Sequence, residues 1–257
     1  MMKVLVLLSG VSYLGLALFA VFFANQLVFP APVPGYSDSP DILKFPYNES
    51  GESVSMVYLD NPRSRYLVFY HHGNGEDLKS TLPRLEKLRQ MGHSVLSWDY
   101  PGYGTSDGKP NEALVLDIAD RIWKQIPRRY GFDHKRVLLY GRSLGGGPAT
   151  WLAHRYPAAG LVMEGSFTSI FRVGLPARIL PWDIFDNLKL IDSITCPVLF
   201  IHGTDDQTVP FDHSVKLHEK APKPKFFAWV DGAGHNDVIE SYTDIYDSSL
   251  NRFIQSL

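Results

Sequence analysis

The sequence predicts an α/β protein, a mainly parallel sheet covered by helices on both faces. Three observations lead there. The runs SVSMVYL (53–59), RYLVFYH (65–71), SVLSWD (94–99), RVLLYG (136–141), LVME (161–164), VLFIH (198–202) and FFAWV (226–230) are short and mostly apolar throughout, as strands buried on both faces must be. Helical segments are expected over 76–91, 112–128, 144–156, 212–221 and 237–255, and strands alternating with helices give parallel pairing. A chain of 257 residues, 45% hydrophobic and 20% charged, is long enough to bury one large core.

Before the first strand, VLVLLSGVSYLGLALFAVFF (4–23) carries no charge and is long enough to cross a bilayer as a helix. A cleaved signal peptide is the competing reading, but its apolar stretch is usually shorter and ends in a small-x-small site, which FFANQLVFPAP does not offer. Residues 1–29 are therefore expected to be a membrane anchor or, failing that, a signal peptide. Lys3 precedes the run and the next basic residue is Lys44, so the positive-inside rule puts the chain start in the cytoplasm and the rest of the chain on the other side. Prolines 30, 32, 34 and 40 favour an extended spacer, and 30–52 is expected to be a linker and lead-in to a domain over 53–257.

Charge and cysteine usage exclude several classes. With 25 Lys plus Arg against 27 Asp plus Glu, the chain has no basic excess to neutralise phosphates, so nucleic-acid binding is set aside. Cys196 is the single cysteine, which excludes an intrachain disulfide and a Cys cluster for zinc or iron–sulfur. No cofactor or metal is implied, and oligomeric state is not legible.

In parallel sheets, function collects at the carboxyl ends of strands. There YGRSLGGGP (140–148) places Ser143 between Gly141 and Gly145, after a strand and before a helix. A strand that turns this sharply into a helix exposes its central residue, and glycines make room for the turn. The phosphate-binding patterns G-x-x-x-x-G-K-[ST] and G-x-G-x-x-G both fail here; G-x-S-x-G is short enough to arise by chance, but the strand before it and the helix after it favour a nucleophile. A serine hydroxyl needs a base, and the base an orienting acid. Of nine histidines, His235 in DGAGHND stands in a glycine-loosened loop after the last strand, where it can reach across the sheet top. The acid comes from HGTDDQTVP; Asp206 is preferred over Asp205, with Glu164 at the end of the preceding strand as a third option. Backbone donors for an oxyanion are expected at Leu144, directly after the nucleophile, and at Asn74 in HHGNGEDL.

Read in order, HGNGEDL, DYPGYGTSDGKPNE, GRSLGGGPA, EGSFTSI, HGTDDQTVP and GAGHND resemble the motifs of the α/β-hydrolase superfamily over nearly all of 53–257. The chain is most similar to its small domain-containing serine hydrolases, grouped with serine aminopeptidases and acyl-protein thioesterases. The resemblance implies a triad of Ser143, Asp206 and His235 with Asn74 and Leu144 as oxyanion amides. Pro101 stands where the family more often has arginine, and the cysteine-rich start of some thioesterases is absent. The span FTSIFRVGLPARILPWDIF is short for a lid, so a small cap or none is expected, with Phe171, Leu175, Ile179, Trp182 and Phe185 either lining an acyl pocket or covering a sheet edge. The expected activity is hydrolysis of a small-molecule or lipid-linked ester or thioester. The alternatives are a peptidase on the same fold and a noncatalytic membrane-tethered scaffold.

Overall fold

The computed structural model describes residues 2–175 and 178–257. Eight strands form one sheet: β1 (Leu43–Pro46), β2 (Ser53–Leu59), β3 (Leu67–His71), β4 (Ser94–Trp98), β5 (Val137–Arg142), β6 (Gly160–Glu164), β7 (Val198–Gly203) and β8 (Lys225–Val230). Their order is β1-β2-β4-β3-β5-β6-β7-β8, antiparallel from β1 through β4 and parallel from β4 to β8. Every residue of β3, β4, β5, β6 and β7 is buried, which is why these runs carry no polar alternation.

Nine α-helices are described: α1 (Met2–Val28), α2 (Leu78–Gln90), α3 (Glu112–Tyr130), α4 (Gly146–Arg155), α5 (Ile170–Gly174), α6 (Asn187–Leu190), α7 (Asp212–Lys220), α8 (Val238–Ser241) and α9 (Thr243–Gln255). Their starts and stops are local chemistry. Asp77 and Ser80 form a reciprocal capping box on α2; Asn111 accepts from the Leu114 amide to open α3, and Gly131, left-handed at φ 74, closes it. The helices divide between the two sheet faces. Leu85 and Leu88 of α2 join Tyr246, Leu250 and Phe253 of α9 against Val68, Tyr70 and Leu138. Ile118, Ile122 and Ile126 of α3, with Leu152 of α4 and Leu217 of α7, cover the opposite face. At roughly 1.5–3 kcal/mol for each fully buried large apolar side chain, these stripes decide which way each helix turns.

Three segments differ from the sequence expectation. The last helix is split at Tyr242 into α8 and α9. Helix α4 starts only at Gly146, because Ser143–Gly145 forms a 3₁₀ turn first. The lead-in over 30–52 carries β1 and is packed onto the domain. Phe45 and Tyr47 are buried, the Tyr36 hydroxyl donates to Asp99 at 2.6 Å, and the Gly35 amide donates to Asp77 at 2.7 Å. Pro46 is accommodated because β1 is the edge strand.

Candidate active site

The chain leaves β3 on one side to form β4 and returns to place β5 on the other, so the strand order reverses between β3 and β5. Loops at such a switch point splay apart and open a crevice above the sheet. His71 of β3 is level with Gly141 of β5, which brings the turn at Asn74 beside the turn at Ser143. Ser143 has φ 50, a left-handed backbone that a serine rarely adopts and that costs roughly 1–3 kcal/mol. Gly145 permits the turn: a Cβ there would collide with the His71 carbonyl.

Three of the predicted residues are joined in a hydrogen-bonded chain. His235 Nε2 lies 3.0 Å from Ser143 Oγ, and His235 Nδ1 lies 2.6 Å from Asp206 Oδ2. With a carboxylate facing Nδ1, that nitrogen carries the hydrogen and Nε2 is left to accept the serine proton. Asp206 Oδ1 accepts the amides of Thr208 and Val209, both at 2.8 Å. Burial alone would raise the Asp206 pKa, but hydrogen bonds from His202 and His235 and the Val209 amide outweigh it and hold the carboxyl well below the usual carboxylate range. Asp205 is exposed, and Glu164 is buried under the elbow, accepting from Arg84 at 3.1 Å and from the Tyr140 hydroxyl at 2.5 Å. Neither reaches His235.

His202, one of the histidines the sequence does not single out, is a second imidazole on the same carboxylate. Its Nε2 lies 3.1 Å from Asp206 Oδ2 and 2.9 Å from the Val209 carbonyl. Both are acceptors, so Nε2 bears the hydrogen, and Ser214 Oγ sits 2.5 Å from Nδ1. The signal was its place four residues before Asp206 at the end of a strand. Arg142 was also missed. Its guanidinium pairs with Glu76 at 2.8 Å and donates to Asn236 Oδ1 at 2.6 Å and the His235 carbonyl at 3.2 Å, fixing the loop that carries His235. Glu76 in turn accepts the Gly73 amide at 2.6 Å. His71, by contrast, has its pKa pushed down to about 3 by burial and, to a lesser extent, by neighbouring His72, and its Nδ1 accepts from Trp98.

Above Ser143 lies a cavity of about 370 Å³, the size of a small-ligand site. Asn74 and Leu144 line it with Ser143. The Asn74 amide donates to no group among the described residues, and the Leu144 amide belongs to a first helical turn, where such groups have no partner within the helix. Of the residues expected to form an acyl pocket, Phe171 and Leu175 line this cavity. Ile179 and Trp182 are exposed, and Phe185 is instead part of the core, its ring against Gly147. Between Glu164 and Asn187 the described residues hold one short helix, α5, so the cap is small. Cys196 is a packed thiol, with burial pushing it up to about 12. Among the described residues no group of three or more His, Cys, Asp or Glu is arranged to hold a metal ion.

Comparison with known proteins supplies the family. The family described as serine aminopeptidase, S33, matches residues 62–182. An alpha/beta hydrolase domain-containing protein 17B of Xenopus tropicalis is 36% identical over 209 residues, covering 80% of this chain and 71% of that one. The human protein of that name matches with the same identity and coverage. Among solved structures, an esterase of Pyrococcus furiosus superposes with a TM-score of 0.72 at 20% identity, over 89% of this chain and 99% of that one. A monoacylglycerol lipase of Paleococcus ferrophilus gives 0.63 at 21% identity, over 79% and 98%.

Proposed function

The chain belongs to the α/β-hydrolase family and is a serine hydrolase, and from that premise we propose that it cleaves carboxylic esters or thioesters through an acyl-enzyme on Ser143. The observation that carries this reading is the chain Ser143–His235–Asp206, held at 3.0 Å and 2.6 Å on a strained turn. As Ser143 Oγ bonds to the carbonyl carbon, His235 Nε2 takes its proton. The carbonyl oxygen becomes an oxyanion facing the Asn74 and Leu144 amides, each such donor contributing about 3–4 kcal/mol to the transition state. The C–O or C–S bond then breaks and His235 returns the proton to the departing alkoxide or thiolate. Water, deprotonated by His235, releases the acid by the same route in reverse. Asp206 remains ionised throughout and stabilises the imidazolium.

Esters and thioesters are preferred to peptides on the character of the cavity. An aminopeptidase must receive an α-ammonium, and none of the described lining residues carries a carboxylate. The lining is almost entirely apolar, which suits an acyl chain. Helix α1 contains a 19-residue window, Gly10–Val28, of mean hydropathy 1.8 that is only 17% buried, long and apolar enough to span a membrane. We take it as an anchor that holds the domain at a bilayer surface, on the non-cytoplasmic side by the placement of Lys3. A fluorophosphonate probe tests the chemistry: one phosphonyl group per chain on the Ser143 peptide is expected, with none on Ser143→Ala and ester hydrolysis lowered about 10⁶-fold. Folded wild-type protein that takes up no probe and turns over no ester or thioester would overturn the reading in favour of a scaffold.

A further inference from the structure

Helix α1 does more than extend away from the domain. Its last three turns pack on it, with Ala20, Ala24 and Val28 buried at 8%, 6% and 6% exposure. The same stripe, together with Leu16, Phe19 and Leu27, forms one wall of the cavity above Ser143. Phe171, Leu175 and Leu180 of the cap segment form the facing wall. The residues spaced by four, Leu16, Ala20, Ala24 and Val28, share one helix face. The two central ones are alanines, which leave room between helix and cap.

On the other face of α1, the described side chains stand free of the domain. Val11, Leu14, Val21 and Phe22 are 58–68% exposed. Large apolar side chains this exposed are stabilised by leaving water, so that face belongs in an apolar phase. The lengths agree. A helix of 27 residues is about 40 Å long at 1.5 Å per residue, while the hydrocarbon core is about 30 Å thick. If α1 spans the bilayer from its first residues, its final turns, with Ala24 and Val28, emerge at the opposite surface while Leu16 and Ala20 lie at acyl-chain depth. From Leu16 to Val28 the lined stripe runs about 18 Å, close to the roughly 15 Å of one leaflet.

Resting on the hydrolase reading above, we propose that α1 is one wall of the acyl-binding pocket, so that a long-chain acyl ester or thioester borne by a bilayer lipid slides along the helix to Ser143. The substrate class is thereby narrowed to acyl groups whose chain reaches about one leaflet in length. The scissile carbonyl is presented at the surface, where Asn74 and Leu144 lie, and the tail stays against Leu16, Ala20 and the cap. A short acyl group ends before the depth of Leu16 and Ala20.

The test uses the full chain in phosphatidylcholine vesicles, with active centres titrated by a small organophosphonate at Ser143. For each variant the ratio of kcat/KM for p-nitrophenyl palmitate to that for p-nitrophenyl butyrate is measured. Ala20→Trp and Ala24→Trp are expected to lower this ratio about tenfold or more, because the added ring occupies the tail's path. Ala20→Leu and Ala24→Leu, which disturb helix docking less, are expected to lower it by a smaller factor in the same direction. Val21→Trp, on the lipid-facing side, is expected to leave the ratio within about twofold of wild type. An active wild type whose ratio is unmoved by all four pocket-side variants overturns this proposal and leaves the hydrolase reading standing. A wild type inert to both esters overturns the two together.

Discussion

At the scale of single residues, turn geometry that no spacing rule states decides which of three carboxylates reaches His235. The chain order in which the hydrogen-bonded residues fall, Ser143, Asp206, His235, follows from where strands end and is readable in sequence. Asp205 and Asp206 are adjacent and chemically alike in sequence. What separates them is that Asp206 turns inward to accept the Thr208 and Val209 amides, while Asp205 faces solvent. His202 was illegible for a related reason: a histidine ending a buried strand looks the same whether it packs or donates to a carboxylate. Asp206→Asn is expected to lower kcat about 10⁴-fold, since an amide can donate where Oδ2 accepts and so stabilise the wrong imidazole tautomer. The same variant carries a pH signature. The Asp206 pKa is depressed in the folded protein, so on acidification the unfolded chain, at about 3.9, takes the proton first. Its stabilising contribution is complete above that value and is lost as pH falls through the folded pKa. Melting temperatures of wild type and Asp206→Asn should therefore converge progressively from about pH 5 downward, as pH falls through the unfolded value toward the depressed folded pKa. A gap that stays constant over that range would mean that the carboxylate is not held by its neighbours.

At the scale of elements, strands were the most legible part and turns the least. Seven apolar runs each became a strand within about two residues of the expected bounds, because burial on both faces demands apolar side chains at every position. LKFP escaped notice because a four-residue edge strand ending in proline has no such demand on it, and its pairing with β2 is what fixes it. The 3₁₀ turn at Ser143–Gly145 was likewise hidden, since its glycines fit either a loop or a helix start. That turn can be tested at Gly145. Its backbone is right-handed, φ −60 and ψ −17, so alanine is conformationally acceptable and any effect is steric. The added methyl meets the carbonyl and Cβ of His71 on β3, neither of which can move without displacing the sheet. Gly145→Ala is expected to cost about 1–3 kcal/mol in chemical denaturation and, by shifting Ser143 against Asn74, about 10²-fold in kcat. Full activity in that variant would show that the elbow tolerates a separation the geometry here denies it.

At the scale of the whole molecule, the site depends on groups drawn from distant parts of the chain, and the buried charges beneath it are what tie them together. Arg142, at the end of β5 and 5% exposed, pairs with Glu76 from the β3 loop and reaches Asn236 and the His235 carbonyl after β8. Arg84 on α2 bridges Glu164 on β6 to the Asn236 carbonyl. The strand that ends at Ser143, the loop that carries Asn74 and the loop that carries His235 thus share one electrostatic cluster. Burial would lower the Arg142 pKa, but Glu76 and Glu164 hold it above its usual value, and Arg142 with His72 holds Glu76 below the usual carboxylate range despite burial. Removing one member leaves its partners charged and dry. Arg142→Met is therefore expected to destabilise the fold by about 3–5 kcal/mol, whereas Arg142→Met with Glu76→Leu, which removes the unpaired carboxylate as well, should recover a large part of that loss. Activity should not recover in step, because neither variant restores the grip on Asn236 and the His235 carbonyl. Urea unfolding of the two variants, set beside their kcat values, separates these effects. If stability and turnover return together in the double variant, the cluster serves only to fill space. If stability alone returns, the arginine positions the base from beneath.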